Sequence, residues 1–188
     1  MRIALSLLVL AAATPAAHAD TGVSFDFGYL RNRVAVTDQT TIGGDMGRFA
    51  ISVSSGRYFY FGAEAEEAHL AGSTGLPDGA VARTTTEQPV QGPLDGNMLG
   101  LKMFAGGHVR AGLFMFGADL ATGVRDTWVS SDAGMDVAGR KDETLLEVRS
   151  RADFWLTRSA TLGAVASTDL LERRDVSFGA VFALHFSR

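Results

Sequence analysis

The chain has 188 residues, 46% of them hydrophobic and 20% charged, with 22 Gly, 4 Pro and no Cys. That length fits one domain with ample chain for a core, and the lack of cysteine excludes disulfide scaffolds, thiolate metal sites and thiol nucleophiles. A formal net charge of −4 opposes a basic nucleic-acid surface, and no run of about 18 apolar residues follows the N-terminus, which opposes helical membrane spans.

In chain order, Met1 and Arg2 precede an apolar run, Ile3 to Ala13, and Ala17-His18-Ala19 forms a small-x-small cleavage triplet. Residues 1–19 therefore read as a cleavable secretory signal peptide and residues 20–188 as the mature domain. Export without cysteine suits a bacterial envelope protein.

After Asp20 the chain alternates with a period of two, the signature of strands with one apolar and one polar or small face. Val23 to Tyr29 places Val23, Phe25, Phe27 and Tyr29 opposite Ser24, Asp26 and Gly28. Arg48 to Ser54 and Phe59 to Glu66 follow, with Phe49, Ile51, Val53, Phe59, Phe61, Ala63 and Ala65 on their apolar faces. Asn97 to Ala105 sets Leu99, Leu101 and Met103 against Lys102 and Phe104. In Val109 to Ala121, the apolar face is assigned to Phe114, Phe116, Ala118 and Leu120. Leu146 to Phe154 sets Leu146, Val148 and Phe154 against Glu147, Arg149, Arg151 and Asp153. Ala160 to Asp169 and Val176 to Phe186 complete eight segments.

Tight turns are expected at Ser55-Gly56-Arg57, Gly106-Gly107-His108 and Thr157-Arg158-Ser159. The other connections are Arg31–Asp45, Ala71–Asp95, Val124–Asp142 and Leu170–Asp175, three of them long and polar. Short and long connections alternate, as in an up-and-down meander with its tight turns at one end.

Two architectures share this pattern. A soluble lipocalin-like barrel turns its apolar face inward; a membrane barrel turns it toward lipid and its polar face toward the lumen. The polar face carries charges in mid-strand: Asp26, Arg48, Glu64, Glu66, Lys102, Asp119, Glu147, Arg149, Arg151 and Asp153. Aromatics gather at the tight-turn end: Tyr58, Phe59, Phe104, Phe154, Trp155 and Phe186, as an interfacial girdle requires. Both features, with the asymmetric connections, point to an eight-stranded antiparallel transmembrane β-barrel with three tight periplasmic turns and four extracellular loops, three of them long. Because lipid offers no partner to backbone groups, such a sheet must close.

The Ala17-His18-Ala19 signal, the dyad strands and the final strand Val176–Phe186 resemble the small eight-stranded outer-membrane β-barrels of Gram-negative bacteria, the group of OmpA transmembrane domains, OmpX and the opacity-type proteins. The resemblance implies the cell outer membrane as location, with lipid and lipopolysaccharide as surroundings. It also implies recognition of the last strand by the barrel-assembly machinery through a terminal aromatic residue. Here Phe186 is followed by Ser187 and Arg188, a departure from that ending.

Eight strands enclose a space that side chains can fill. A plugged lumen with a network of Arg48, Glu64, Glu66, Lys102, Asp119, Glu147, Arg149, Arg151 and Asp153 is therefore expected, in a monomeric protein of structural or surface-interaction role. The loops are the expected working surface, with Trp128 either a contact for a surface ligand or a marker of the membrane interface. Asp126, Asp132, Asp136 and Asp142 lack the spacing of a calcium loop, so no metal is expected. No cofactor motif is present, neither a glycine-rich phosphate loop nor HExxH. An alternative is a small lipid A deacylase or acyltransferase, for which a Ser nucleophile and a His base are needed. His69, His108 and His185 remain after cleavage; His185-Phe186-Ser187 has a deacylase-like spacing but falls at the turn end. No catalytic set is assigned. The other alternative is the soluble ligand-binding barrel.

Overall fold

The computed structural model describes residues 22–37, 40–55, 58–71, 82–83, 89–90, 94–131, 136–172 and 175–187. The signal peptide at 1–19 lies outside the described residues, as do Ser73, Thr74 and Asp132. The strands are β1 (Gly22–Thr37), β2 (Thr40–Ser55), β3 (Phe59–Ala71), β4 (Ala82–Arg83), β5 (Pro89–Val90), β6 (Leu94–Ala111), β7 (Phe114–Ser131), β8 (Asp136–Trp155), β9 (Ala160–Asp169) and β10 (Val176–Ser187). Eight of them close into one barrel in the order β1-β10-β9-β8-β7-β6-β3-β2, while β4 and β5 form a two-stranded hairpin between β3 and β6. All neighbours pair antiparallel, and closure comes from β1 against β10, with Gly22 opposite Ser187 and Arg33 opposite Val176. The barrel leaves no open edge, which is what a sheet in hydrocarbon requires.

Side-chain direction settles which solvent each face sees. Phe27, Phe49, Ile51, Phe61, Leu101, Met103, Phe116, Leu120, Val148 and Phe182 point outward and are exposed, whereas Glu64, Glu66, Lys102, Arg149 and Asp153 are buried inside. The soluble-barrel alternative needs the opposite arrangement and does not describe this molecule. Outward apolar runs extend from Leu99 to Val109, Phe114 to Val124 and Leu146 to Phe154. These lengths match the roughly 9–11 residues that a tilted membrane strand needs.

The strands are longer than that. β1 runs on to Thr37 and β2 begins at Thr40, so Arg31–Asp45, expected to be a long loop, is mostly paired strand, with Arg31 opposite Asp45 and Val34 opposite Ile42. Val124–Asp142 is corrected likewise: β7 continues to Ser131, β8 starts at Asp136, and Arg125 lies opposite Glu143. The reason is a switch of pattern along each strand. Beyond the apolar band, the outward positions become Arg31, Arg33, Asp45, Glu67, His69, Asp95 and Asn97, all exposed. The inward positions there become Leu30, Val34, Ile42, Met46, Ala68, Leu70, Met98 and Val129, a buried apolar cluster that Val165 and Val181 complete. Within the band the barrel is polar inside and apolar outside; past it, the same strands follow the soluble rule.

One turn also moves. Gly106-Gly107-His108 lies within β6, and the chain reverses at Gly112, whose φ of 62° is the left-handed geometry that glycine adopts without strain. Gly106 faces inward opposite Asp119, and a Cβ there would lie 2.3 Å from the Asp119 Cβ. Its lack of a side chain makes room for the carboxylate.

Candidate functional site

The lumen is built in layers, each set by the inward parity of the strands. At the tight-turn end, Ser24, Tyr60, His108, Trp155 and His185 line an open vestibule of about 400 Å³. Tyr60 stacks on His108 at 5.6 Å and meets Phe104 edge-on at 6.1 Å. Trp155 lies against His185 at 4.7 Å, and the Arg110 guanidinium covers its ring at 4.6 Å. His185 shares hydrogen bonds with Ser24 through Nδ1 and with Thr161 through Nε2.

Above the vestibule comes a guanidinium–carboxylate layer. Arg151 donates to Asp26 and, at 2.6 Å, to Asp153. Arg149 donates to Asp119 and Glu64, and its guanidinium lies 4.5 Å over the Phe104 ring. Tyr60 donates to the same Asp119 at 2.7 Å. Arg48 approaches Glu64 at 3.6 Å.

The next layer centres on Lys102, whose ammonium donates to Glu66 and Glu147 at 2.7 Å each and lies 3.8 Å from Glu64. Gly100 faces this point on the same strand, and a Cβ there would fall 2.5 Å from Glu66 Oε1, so glycine leaves space for the carboxylate. Glu64 thus ties the two charged layers together, contacting Arg149, Arg48 and Lys102 with its side chain fully buried. Charges removed from water need such partners, because an unpaired one costs several kcal/mol.

Farther out, Arg125 pairs with Glu143 at 2.7 Å and with Asp175, all within the barrel mouth. Around it sits the apolar cluster. A void of only about 20 Å³, lined by Asn32, Met98, Glu66, Arg125 and Glu147 among others, lies between the Lys102 layer and this plug.

The structure therefore brings together Arg48, Glu64, Glu66, Lys102, Asp119, Glu147, Arg149, Arg151 and Asp153 in one inward-facing set, with Asp26 joining through Arg151. The aromatic set divides. Tyr58, Phe59, Phe154 and Phe186 are exposed on the outside at the turn end. Phe104 is buried in the lumen and Trp155 faces the vestibule, so neither belongs to an outer girdle. The correction is one of parity: Phe154 and Trp155 are adjacent and so point to opposite faces. Trp128, expected in a loop, sits on the outward face of β7 opposite Asn97 and Arg140. His69 is also outside, 3.3 Å from Asn97 and 3.7 Å from Asp95. Ser177 bonds Ser167 at 2.7 Å rather than His185. Among the described residues, no carboxylate hydrogen-bonds His185.

Sequence reasoning missed three groups: the aromatic–histidine vestibule, the Arg125 clasp and the apolar plug. The vestibule combines residues from strands far apart in the chain, for which spacing carries no signal; in the clasp, Arg125 and Glu143 face each other on neighbouring strands, but Asp175 joins them from just before β10. The plug was legible as the change of parity in Leu30, Ala68 and Leu70.

No protein-family model matches the chain, and no curated protein sequence matches it significantly. Solved structures do. Ail, the attachment invasion locus protein of Yersinia pestis, solved in complex with the heparin analogue sucrose octasulfate, is similar with a TM-score of 0.55 at 15% identity, over 89% of this chain and 99% of that one. The fold is that of the small outer-membrane β-barrels. Neisserial surface protein A matches with a TM-score of 0.55 at 10% identity, over 89% of this chain and 97% of its own. The N-terminal β-barrel domain of Pseudomonas aeruginosa OprF matches with a TM-score of 0.51 at 14% identity, covering 89% and 98%. At such identities the likeness is one of fold.

Proposed function

We propose that this chain is an outer-membrane barrel whose lumen is closed by paired charges and apolar side chains, and which works by displaying its outer end. The observation that carries this reading is the layered interior: the Lys102–Glu66–Glu147 layer is followed outward by a 20 Å³ void and then by apolar side chains packed around the Arg125 clasp. Water and ions would have to cross both. Beyond the membrane, the strands continue as a barrel with its own apolar core, which supports a rigid stalk for the connections at its tip. The connection between β3 and β6 is the longest of these, and it carries the β4–β5 hairpin. Exposed connections on a rigid scaffold commonly bind partners. Lipopolysaccharide and lipid surround the apolar band, strand β10 with Phe186 serves as the signal to the assembly machinery, and residues 1–19 direct export. The protein acts as a monomer.

Planar-bilayer recording tests closure. The expected result is no steady conductance from purified protein; a sustained, large current per molecule would overturn the closed lumen.

A further inference from the structure

The vestibule at the tight-turn end is not needed for closure, yet it is shaped and charged. Its volume of about 400 Å³ falls within the range of small-molecule sites. Five guanidiniums line it, those of Arg48, Arg110, Arg149, Arg151 and Arg158, against three carboxylates, those of Asp26, Asp119 and Asp153. The carboxylate excess of the barrel lies deeper, around Lys102, so the vestibule itself carries more positive than negative charge. Arg149 and Arg151 each donate to two carboxylates. Arg48 does not: its side chain is 94% buried, Nε has no hydrogen-bond partner among the described residues, and Glu64 at 3.6 Å is beyond hydrogen-bond reach. A buried donor left unmade is costly; this Nε is itself closed off from the vestibule, which Arg48 nonetheless lines. Arg151 Nη2 and, on the acceptor side, Asp26 Oδ1 likewise lack a hydrogen-bond partner among the described residues, and both atoms are closed to solvent.

We infer that the vestibule is a binding site for a small oxyanion, entering from the tight-turn side and anchored by Arg48. The anionic oxygens would accept from Arg48 and Arg151, where guanidinium geometry favours planar, two-point contact with carboxylate or phosphate. Arg110 at the rim, over the Trp155 ring, adds attraction at the entrance. Phosphate and small carboxylates share this chemistry.

Trp155 reports on the site. The protein with Trp128→Phe, which removes the other tryptophan, is folded in a non-ionic detergent and titrated with inorganic phosphate and separately with glycolate. Chloride holds the ionic strength constant. The expected result is a saturable change in Trp155 fluorescence with at least one of the two, and whichever binds more tightly identifies the phosphate or the carboxylate class. Arg48→Gln is expected to weaken that binding at least tenfold. Arg110→Gln, at the exposed rim, is expected to weaken it about threefold and decides the matter if Arg48→Gln does not fold. A response to neither anion beyond that of chloride overturns the inference, as does unchanged affinity in the folded Arg48→Gln protein, or in Arg110→Gln where the first does not fold. The titration needs no membrane, so its failure leaves the proposed closure and display untouched.

Discussion

Replacing Glu64 with Gln is expected to destabilise the folded barrel by about 3–5 kcal/mol, the cost of removing one partner from a buried charge cluster. Glu64 is the carboxylate shared by Arg149, Arg48 and Lys102. The three cations are not equally dependent on it. Lys102 retains Glu66 and Glu147, and Arg149 retains Asp119. Among the described residues Arg48 retains no other ion pair, only a longer-range attraction to Asp153. Most of the loss should therefore come from a stranded guanidinium, and adding Arg48→Met to Glu64→Gln should recover part of it. Urea unfolding in lipid vesicles, followed by the mobility of unheated samples on gels, reads both values. A double variant no more stable than Glu64→Gln would show that the loss has another origin.

Met103→Arg is expected to cost about 2–4 kcal/mol, as arginine does near the midplane on the lipid face of a membrane barrel. Met103 is an exposed residue near the middle of the outward apolar run of β6. Asn97→Arg on the same strand and face, but beyond the band, should change stability by no more than about 0.5 kcal/mol, like other exposed surface substitutions. If the outside of the barrel met one solvent throughout, the two substitutions would cost the same. The same unfolding assay separates the outcomes.

These two predictions draw on different parts of what the sequence reveals. The lipid-facing parity was legible strand by strand, because Phe61, Ala63 and Ala65 alternate with Tyr60, Gly62 and Glu64 without a break. It ceased to be legible where the solvent changed. At Arg31 and Arg33 the outward residues turn charged while Leu30 and Val34 turn inward, so a rule of apolar-outward alternation reads a continuing strand as a loop. Glycine misled for a related reason: Gly106 resembles a turn residue in sequence, but is used for its small size beside Asp119. The charged side chains could be placed on one face by parity alone. Which of them meet could not, because Arg149 and Glu64 lie 85 positions apart and join only across the closed lumen. The aromatic residues show the same limit in miniature. Position along the strand put Trp155 at the interface, and parity put it inside against Arg110 and His185.

The most direct test of the central claim, that the barrel is inverted within the membrane and reverts beyond it, is a spin-label scan along β3 from Ala63 to Leu70. The chain has no cysteine, so single Cys substitutions take a nitroxide without interference. Collisions with oxygen, which concentrates in lipid, and with a water-soluble nickel chelate are measured at each site in bilayers. Labels at Ala63 and Ala65 are expected to favour oxygen, those at Glu67 and His69 the nickel chelate, and those at Glu66, Ala68 and Leu70 to be shielded from both. Nickel access at Ala63 and Ala65 equal to that at Glu67 and His69, or open exposure at Ala68 and Leu70, would contradict the account.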